Sequence, residues 1–177
     1  MKLMQALRCL AILALVLVLS ACATSRNLAD GKRIAPGQGV LVFKVESNLT
    51  WLQLQFKKFR AQETFGSAMA EAFIGPDEAV FVNQPEKYWV MPVTSGDYMW
   101  SKIVVTGREA SFHSSNKFTV EAGAITYAGH IRIDSRGNMA RILATDEEAD
   151  MRTFLERDYP QYMRTMAFKK HITDMSL

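Results

Sequence analysis

Apolar and polar positions divide the chain into three parts with different periods. Residues 9–19 are apolar without interruption, and Lys2 and Arg8 stand before this run. From residue 39 apolar and polar residues alternate with period two, which is typical of strands with one buried face. Near residue 145 the spacing changes to that of a helix. The pattern therefore predicts a leader, a body of strands and a C-terminal helix.

Eight segments of the body have the composition and spacing of strands. They are rich in β-branched and aromatic residues, and they cover 40–45, 50–56, 79–82, 88–93, 99–106, 118–123, 124–134 and 139–144. Ser47 and Asn48 supply a turn between the first two, which predicts a hairpin. Residues 61–77 fit a helical turn or a strand equally well.

The segment 124–134 has the clearest alternation. One predicted face carries Ile125, Tyr127, Gly129, Ile131 and Ile133. The other predicted face carries Ala124, Thr126, Ala128, His130, Arg132 and Asp134.

A C-terminal helix is predicted over about 145–165. Thr145 and Glu148 have the spacing of a capping box, and apolar residues from Met151 to Met163 recur at helical spacing. Pro160 should break or kink this helix. A short frayed tail is expected after Lys170.

Two segments resemble known sandwich domains. Gly96 and Tyr98, following Met91-Pro92, resemble the corner of transthyretin-like and carboxypeptidase-regulatory-like domains. That resemblance implies an inward Tyr98 ring whose hydroxyl binds nearby backbone. The stretch 118–134 resembles a segment of small uncharacterised proteobacterial lipoproteins with sandwich folds and no settled activity. We therefore expect a mainly β domain over 39–177, an antiparallel β-sandwich with a C-terminal α-helix.

The first 21 residues have the features of a secretory signal peptide. A positive start precedes a short apolar run, and small residues end it. A membrane-spanning helix needs roughly 20 apolar residues, and this run is shorter.

Leu19-Ser20-Ala21-Cys22 resembles the lipobox of bacterial lipoproteins at all four positions. The resemblance implies cleavage between Ala21 and Cys22, a diacylglycerol on the Cys22 thiol, and in many bacteria a fatty acid such as palmitate on its amine. Ala23, in place of Asp, implies sorting to the outer membrane rather than retention at the inner one. Residues 22–38 lack periodicity and predict a flexible tether.

Composition narrows the candidate chemistry. The two cysteines are Cys9, in the leader, and Cys22, so the rest of the chain has no disulfide and no thiol nucleophile. The net charge of +3 falls to +1 without the leader, which gives no basic surface for nucleic acid.

The histidines give no metal or cofactor site. His113, His130 and His171 are not at ligand spacing. His130, Arg132 and Asp134 share the predicted polar face and form a candidate binding patch, for which the alternative is a solvated strand face. Ser114 and Lys117 match S-x-x-K but lack the helix and partner motif that this chemistry requires. The acids of 146–150 are explained by a helix N-terminus.

Trp51 falls on the polar face of its strand, with Gln53 and Gln55. An exposed tryptophan among amides is typical of a surface that binds a glycan or a protein. The C-terminal helix could equally cover it.

These observations predict a non-catalytic lipoprotein that faces the periplasm and acts as a structural or protein-interaction module, with an unidentified envelope protein as its partner. Two alternatives remain at this stage. One is an envelope hydrolase acting on peptidoglycan or lipid. The other is a carrier of an apolar ligand between the sheets, in a cavity lined by residues such as Phe43, Leu54, Ile125 and Ile131.

Overall fold

The structure is a computed structural model that describes residues 27–59, 78–105, 108–111, 117–136 and 139–173. The predicted signal peptide, Cys22, the segment 61–77 and His113 lie outside these ranges.

The described residues form ten strands and two helices. The strands are β1 (Gln38–Ser47), β2 (Leu52–Lys58), β3 (Glu78–Val82), β4 (Glu86–Thr94), β5 (Gly96–Val105), β6 (Arg108–Ser111), β7 (Phe118–Val120), β8 (Ala124–Arg136), β9 (Met139–Thr145) and β10 (Ala167–Lys170). The helices are α1 (Glu148–Asp158) and α2 (Pro160–Thr165). All eight predicted strands are confirmed, and β6 and β10 are additional.

The strands form two sheets. Sheet A has the order β10–β8–β1–β4, with β9 also paired to β8. Sheet B has the order β3–β2–β5–β6, with β7 also paired to β5. The predicted β-sandwich with a C-terminal helix is confirmed. Sheet A is mixed rather than wholly antiparallel, because β8 runs parallel to both β1 and β10.

The predicted hairpin of β1 and β2 is wrong, because the two strands belong to different sheets. The chain crosses between the sheets at Asn48. Its side-chain amide donates to the Ser135 carbonyl at 3.0 Å, and its side-chain oxygen accepts from the Ser135 N–H at 2.9 Å. The apolar faces of β1 and β2 consequently meet across the sandwich instead of side by side.

The main core lies between the sheets and is rich in aromatic rings. Phe43 contacts Trp100 edge-on, with ring centroids 5.2 Å apart, and Phe56 contacts the same ring at 5.5 Å. Such pairs contribute roughly 0.5–1.5 kcal/mol beyond the area they bury. Tyr98 is also buried, and its hydroxyl donates to the Thr94 carbonyl at 2.8 Å. The predicted tyrosine corner is thus confirmed.

A second core lies between sheet A and the helices. Val40, Val42 and Val90 pack there with Met151 and Leu155. Sheet A is therefore the middle of three layers. Its central strand β1 is buried on both faces, which explains the continuous apolar run in its sequence.

A bulge in β8 reverses the alternation of that strand. Val42 pairs with Tyr127 but Lys44 pairs with His130, so β8 has one extra residue, and Gly129 there has φ +104°. The side chains of Ile125 and Tyr127 join the helix-side core, whereas Ala128, Ile131 and Ile133 join the core between the sheets. The predicted two faces of 124–134 are wrong, since an inserted residue changes the face of all that follow.

The C-terminal helix begins later than predicted and ends at Thr165, as predicted. Thr145 ends β9 and its hydroxyl lies 3.4 Å from the His130 carbonyl oxygen, so the predicted capping box does not form. The helix begins at Glu148. The predicted break is confirmed, and Pro160 occupies the first turn of α2, where its missing N–H costs nothing. After β10 the His171 N–H still donates to the Tyr127 carbonyl, so the predicted frayed tail is ordered at this point.

Residues 27–37, here called the strap, pack against the domain. The Asn27 side chain donates to the Tyr88 carbonyl and accepts from the Val90 N–H, and the Leu28 N–H donates to the Val90 carbonyl. Asp30 accepts from the N–H groups at the start of α2. This part of the predicted tether is therefore packed on the domain, and the prediction of a flexible coil is wrong for it. Residues 22–26 lie outside the described ranges.

Candidate functional site

The helix-facing side of sheet A is apolar at one end and polar at the other. On β1, Val40 and Val42 belong to the helix-side core. Lys44 and Glu46 follow them on the same face of the strand but are not part of that core. Charged and hydroxyl side chains of β4, β8 and α1 meet them there. We call the following set the polar cluster: Lys44, Glu46, Glu86, Tyr88, His130, Arg132, Glu147 and Asp150.

His130 is at the centre of one half of the polar cluster and is 1% exposed. Its Nδ1 lies 2.7 Å from Glu147 Oε2, and its Nε2 lies 3.2 Å from Glu46 Oε2. Neither oxygen is in line with a ring N–H, so these are close contacts rather than aligned hydrogen bonds. Arg132 contacts the same two carboxylates, at 2.7 Å from Glu147 Oε1 and 3.4 Å from Glu46 Oε2. The two carboxylates thus bridge His130 and Arg132.

Lys44 is at the centre of the other half. Its Nζ lies 2.7 Å from Glu86 Oε1 and 3.0 Å from Asp150 Oδ2, and the Tyr88 hydroxyl donates to the same Asp150 oxygen at 2.7 Å. Burial disfavours the charged amine, but the bonds to Glu86 and Asp150 outweigh it and raise the pKa of Lys44. Burial, and then the bond to Asp150, raise the pKa of Tyr88. The Tyr88 hydroxyl and the Lys44 amine lower the pKa of Asp150.

The polar cluster attaches α1 to sheet A. Glu147 directly precedes α1 and Asp150 lies in its first turn, and the Glu147 N–H donates to the Tyr127 hydroxyl at 3.0 Å. The neighbouring acids also have partners, since Lys170 contacts both Asp146 and Glu148. A helix N-terminus alone was therefore an incomplete explanation of these acids. In the described part of the chain, no group of three or more His, Cys, Asp or Glu is arranged to hold a metal ion.

The candidate patch of His130, Arg132 and Asp134 occupies alternate positions of β8 after its bulge, and Trp51, the other candidate binding residue, lies apart from it. His130 and Arg132 are brought together, but His130 is buried on a strand with neighbours on both sides, so the solvated-face interpretation is wrong for it. Asp134 is exposed further along β8, where its Cα pairs with that of Arg141. Trp51 precedes β2 of the other sheet.

Sequence reasoning missed most of the polar cluster, although one signal was present. Lys44 interrupts the apolar run of β1, and such a run predicts a strand buried on both faces. A lysine inside it must be buried next to a carboxylate. The partners Glu86 and Asp150 are far away in the chain, and only the folded topology identifies them.

A second candidate site is an exposed aromatic pair on sheet B, formed by Trp51 and Phe81. Trp51 is 41% exposed and Phe81 is 42% exposed, and their ring centroids lie 6.1 Å apart. Both helices pack on sheet A, so they do not cover Trp51. Beside the pair, Gln53 stands in register between Phe81 and Val104. The aromatic pair therefore borders an amide and further apolar surface.

The residues predicted to line an apolar cavity are separated. Phe43, Leu54 and Ile131 belong to the core between the sheets, whereas Ile125 packs under the helices on the opposite face of sheet A. The bulge at Gly129 is the reason for this separation. The four side chains therefore do not surround one space.

The fold defines the class of protein: a two-sheet sandwich whose mixed sheet carries a helical layer. Neither helix in the described ranges is long and apolar enough to cross a membrane. No protein-family model, curated protein or solved structure matches this chain.

Proposed function

We propose that the chain is an envelope lipoprotein, anchored to the outer membrane through Cys22, whose non-catalytic domain binds an envelope protein on the periplasmic side. The anchor is supported by the leader and by the match of Leu19–Cys22 to the lipobox. Ala23 supports the outer-membrane location. Two or more acyl chains anchor a protein stably, because each buried CH₂ contributes about 0.8 kcal/mol.

The exposed aromatic pair is the observation that carries the binding proposal. Large rings at the centre of an interface contribute much of the free energy of association, and tryptophan is enriched among such residues. The Trp51 and Phe81 rings are adjacent, and Val104 extends their apolar surface. Gln53, which lies between Phe81 and Val104, offers hydrogen-bond donors and an acceptor. A hydrolase is less supported, since His130 is buried and both of its ring nitrogens contact carboxylates.

The test is photocrosslinking in living cells. A photoreactive amino acid at position 81 should give a reproducible crosslink to one envelope protein, identified by mass spectrometry, and Trp51→Ala should abolish it. The matched control is position 143, because Leu143 is 40% exposed on sheet A. Equal products from both positions, or none from position 81, would refute the binding proposal.

The anchor is tested separately. Radiolabelled palmitate should be incorporated into the chain, and Cys22→Ser should prevent incorporation and release the protein from the membrane fraction. Incorporation that persists in Cys22→Ser would contradict the proposed site.

A further inference from the structure

We propose that the edge of the domain formed by β4 and the strap faces a phospholipid bilayer, so that the domain is held on the membrane by one defined side. This inference rests on the proposed lipid anchor at Cys22. It concerns a different surface from the aromatic pair on sheet B.

The strap is fixed to the domain close to its first described residue. Asn27 and Leu28 together make three hydrogen bonds to the edge strand β4, at 2.8, 3.1 and 2.8 Å. Leu28 is 7% exposed in the helix-side core. The Tyr162 hydroxyl donates to the Lys32 carbonyl. The strap is therefore held against β4 at Asn27 and Leu28 and against α2 at Lys32.

Few residues remain between this point and the anchor. Only residues 23–26 separate Cys22 from Asn27. At no more than about 3.6 Å per residue, the Cα atoms of Cys22 and Asn27 are at most about 18 Å apart. A domain of this size has a radius of gyration of roughly 15 Å. An anchored chain must therefore keep the β4 edge near the bilayer.

The opposite edge of sheet A is further away. β9 pairs with β8, and β8 is separated from β4 by β1. Three strand spacings place β9 about 14 Å from β4 across the sheet. Leu143 on β9 is thus an exposed reference position on the side that should face away from the lipid.

The side chains beside Asn27 suit a membrane surface. Tyr88, whose carbonyl accepts from Asn27, stacks on Phe154 with ring centroids 4.1 Å apart. The Arg157 guanidinium lies 5.9 Å from the Phe154 ring centre, its side chain is 71% exposed, and it also pairs with Asp158. Aromatic rings and long cationic side chains are favoured where lipid headgroups meet water.

The test uses the lipidated full chain in phospholipid vesicles. Arg157→Cys or Leu143→Cys is labelled with an environment-sensitive fluorophore, and the lipidated Cys22 thiol cannot react with the label. Nitroxide-bearing phospholipids are then included in the vesicles. We expect loss of fluorescence at position 157 and little loss at position 143. Equal quenching at both positions, or stronger quenching at 143, would overturn the orientation.

Two further measurements separate this inference from the proposed anchor. Absence of palmitate incorporation would refute the anchor and the orientation with it, whereas incorporation with equal quenching would refute the orientation alone. Insertion of a 20-residue Gly/Ser segment after Ala23 should keep incorporation but reduce quenching at position 157, because such a segment spans roughly 22–27 Å on average. Unreduced quenching would contradict the tether argument.

Discussion

Lys44 has the least exposed side chain among the lysine, arginine and acidic residues of the polar cluster. Its side chain is 10% exposed, and the Glu86 and Asp150 carboxylates that contact it are about half exposed. Burial of an amine is tolerated when it is paired and hydrogen-bonded. The lysine side chain thus links β1 to β4 and to α1.

Replacement of Lys44 by Met should destabilise the fold, because Glu86 and Asp150 lose a shared cation next to the sheet. Solvent reaches both carboxylates, so we expect a loss of about 1–3 kcal/mol rather than the larger cost of a fully buried pair. Urea denaturation measures it. Lys169→Met is the matched control, since Lys169 is exposed and lies 3.9 Å from Glu121, and it should change stability by less than about 0.5 kcal/mol.

Tyr88→Phe should make stability less dependent on acid pH. The Tyr88 hydroxyl is the main reason that the pKa of Asp150 is below its ordinary 3.8. A carboxylate whose pKa is lower in the folded than in the unfolded protein stabilises the fold at pH values above the unfolded-state pKa. This contribution is lost as pH falls through the folded-state pKa. Wild type should therefore be more stable than Tyr88→Phe at neutral pH, and the difference should shrink below about pH 4. Parallel curves of unfolding free energy against pH would contradict the assignment.

At the scale of elements, the bulge of β8 determines which side chains meet. It places His130 and Arg132 on the helix side with Lys44 and Glu46, whereas strict alternation would have turned His130 away from Tyr127. Gly129 allows the bulge because its φ of +104° is rarely adopted by other residues.

Gly129→Ala should lower the free energy of unfolding more than replacement of a glycine whose added Cβ would meet no neighbouring atom. A Cβ at Gly129 would lie 3.3 Å from Ile172 Cγ2 and 3.4 Å from the Thr145 carbonyl oxygen. We expect a loss of about 1–3 kcal/mol from backbone strain and crowding. Gly123→Ala is the control, because Gly123 has φ +71° and nothing within 4 Å of the added atom. An equal loss of unfolding free energy in both variants would show that crowding at the bulge is unimportant.

The elements were predictable where local pattern determines them. Alternation in β2 and the corner at Gly96 and Tyr98 correctly indicated strand and turn. The partners of each strand were not predictable, because pairing β1 with β8 depends on residues far apart in the chain. The extra residue at Gly129 leaves no signal in composition. The four residues of β10 include two lysines and are too few to show a period.

At the scale of the whole molecule, the strap joins the first described residues to the last helix. Asp30 accepts from the N–H groups of Gln161 and Tyr162, which have no partner within the short helix α2. Asp30→Ala should therefore release the strap and expose it to protease, with a loss of about 1 kcal/mol. Limited proteolysis with mass spectrometry of the cleavage sites measures this. Asp134→Ala, at an exposed position of β8, should leave the cleavage pattern unchanged.

The parallel pairing of β1 with β8 also has a consequence for the timing of folding. Val40 pairs with Ile125, and β10 is added to the other edge of β8 only when Ala167 is available. β1 can pair with β4 early, but its second partner, β8, is available only when most of the polypeptide is present, and closing so long a loop is slow.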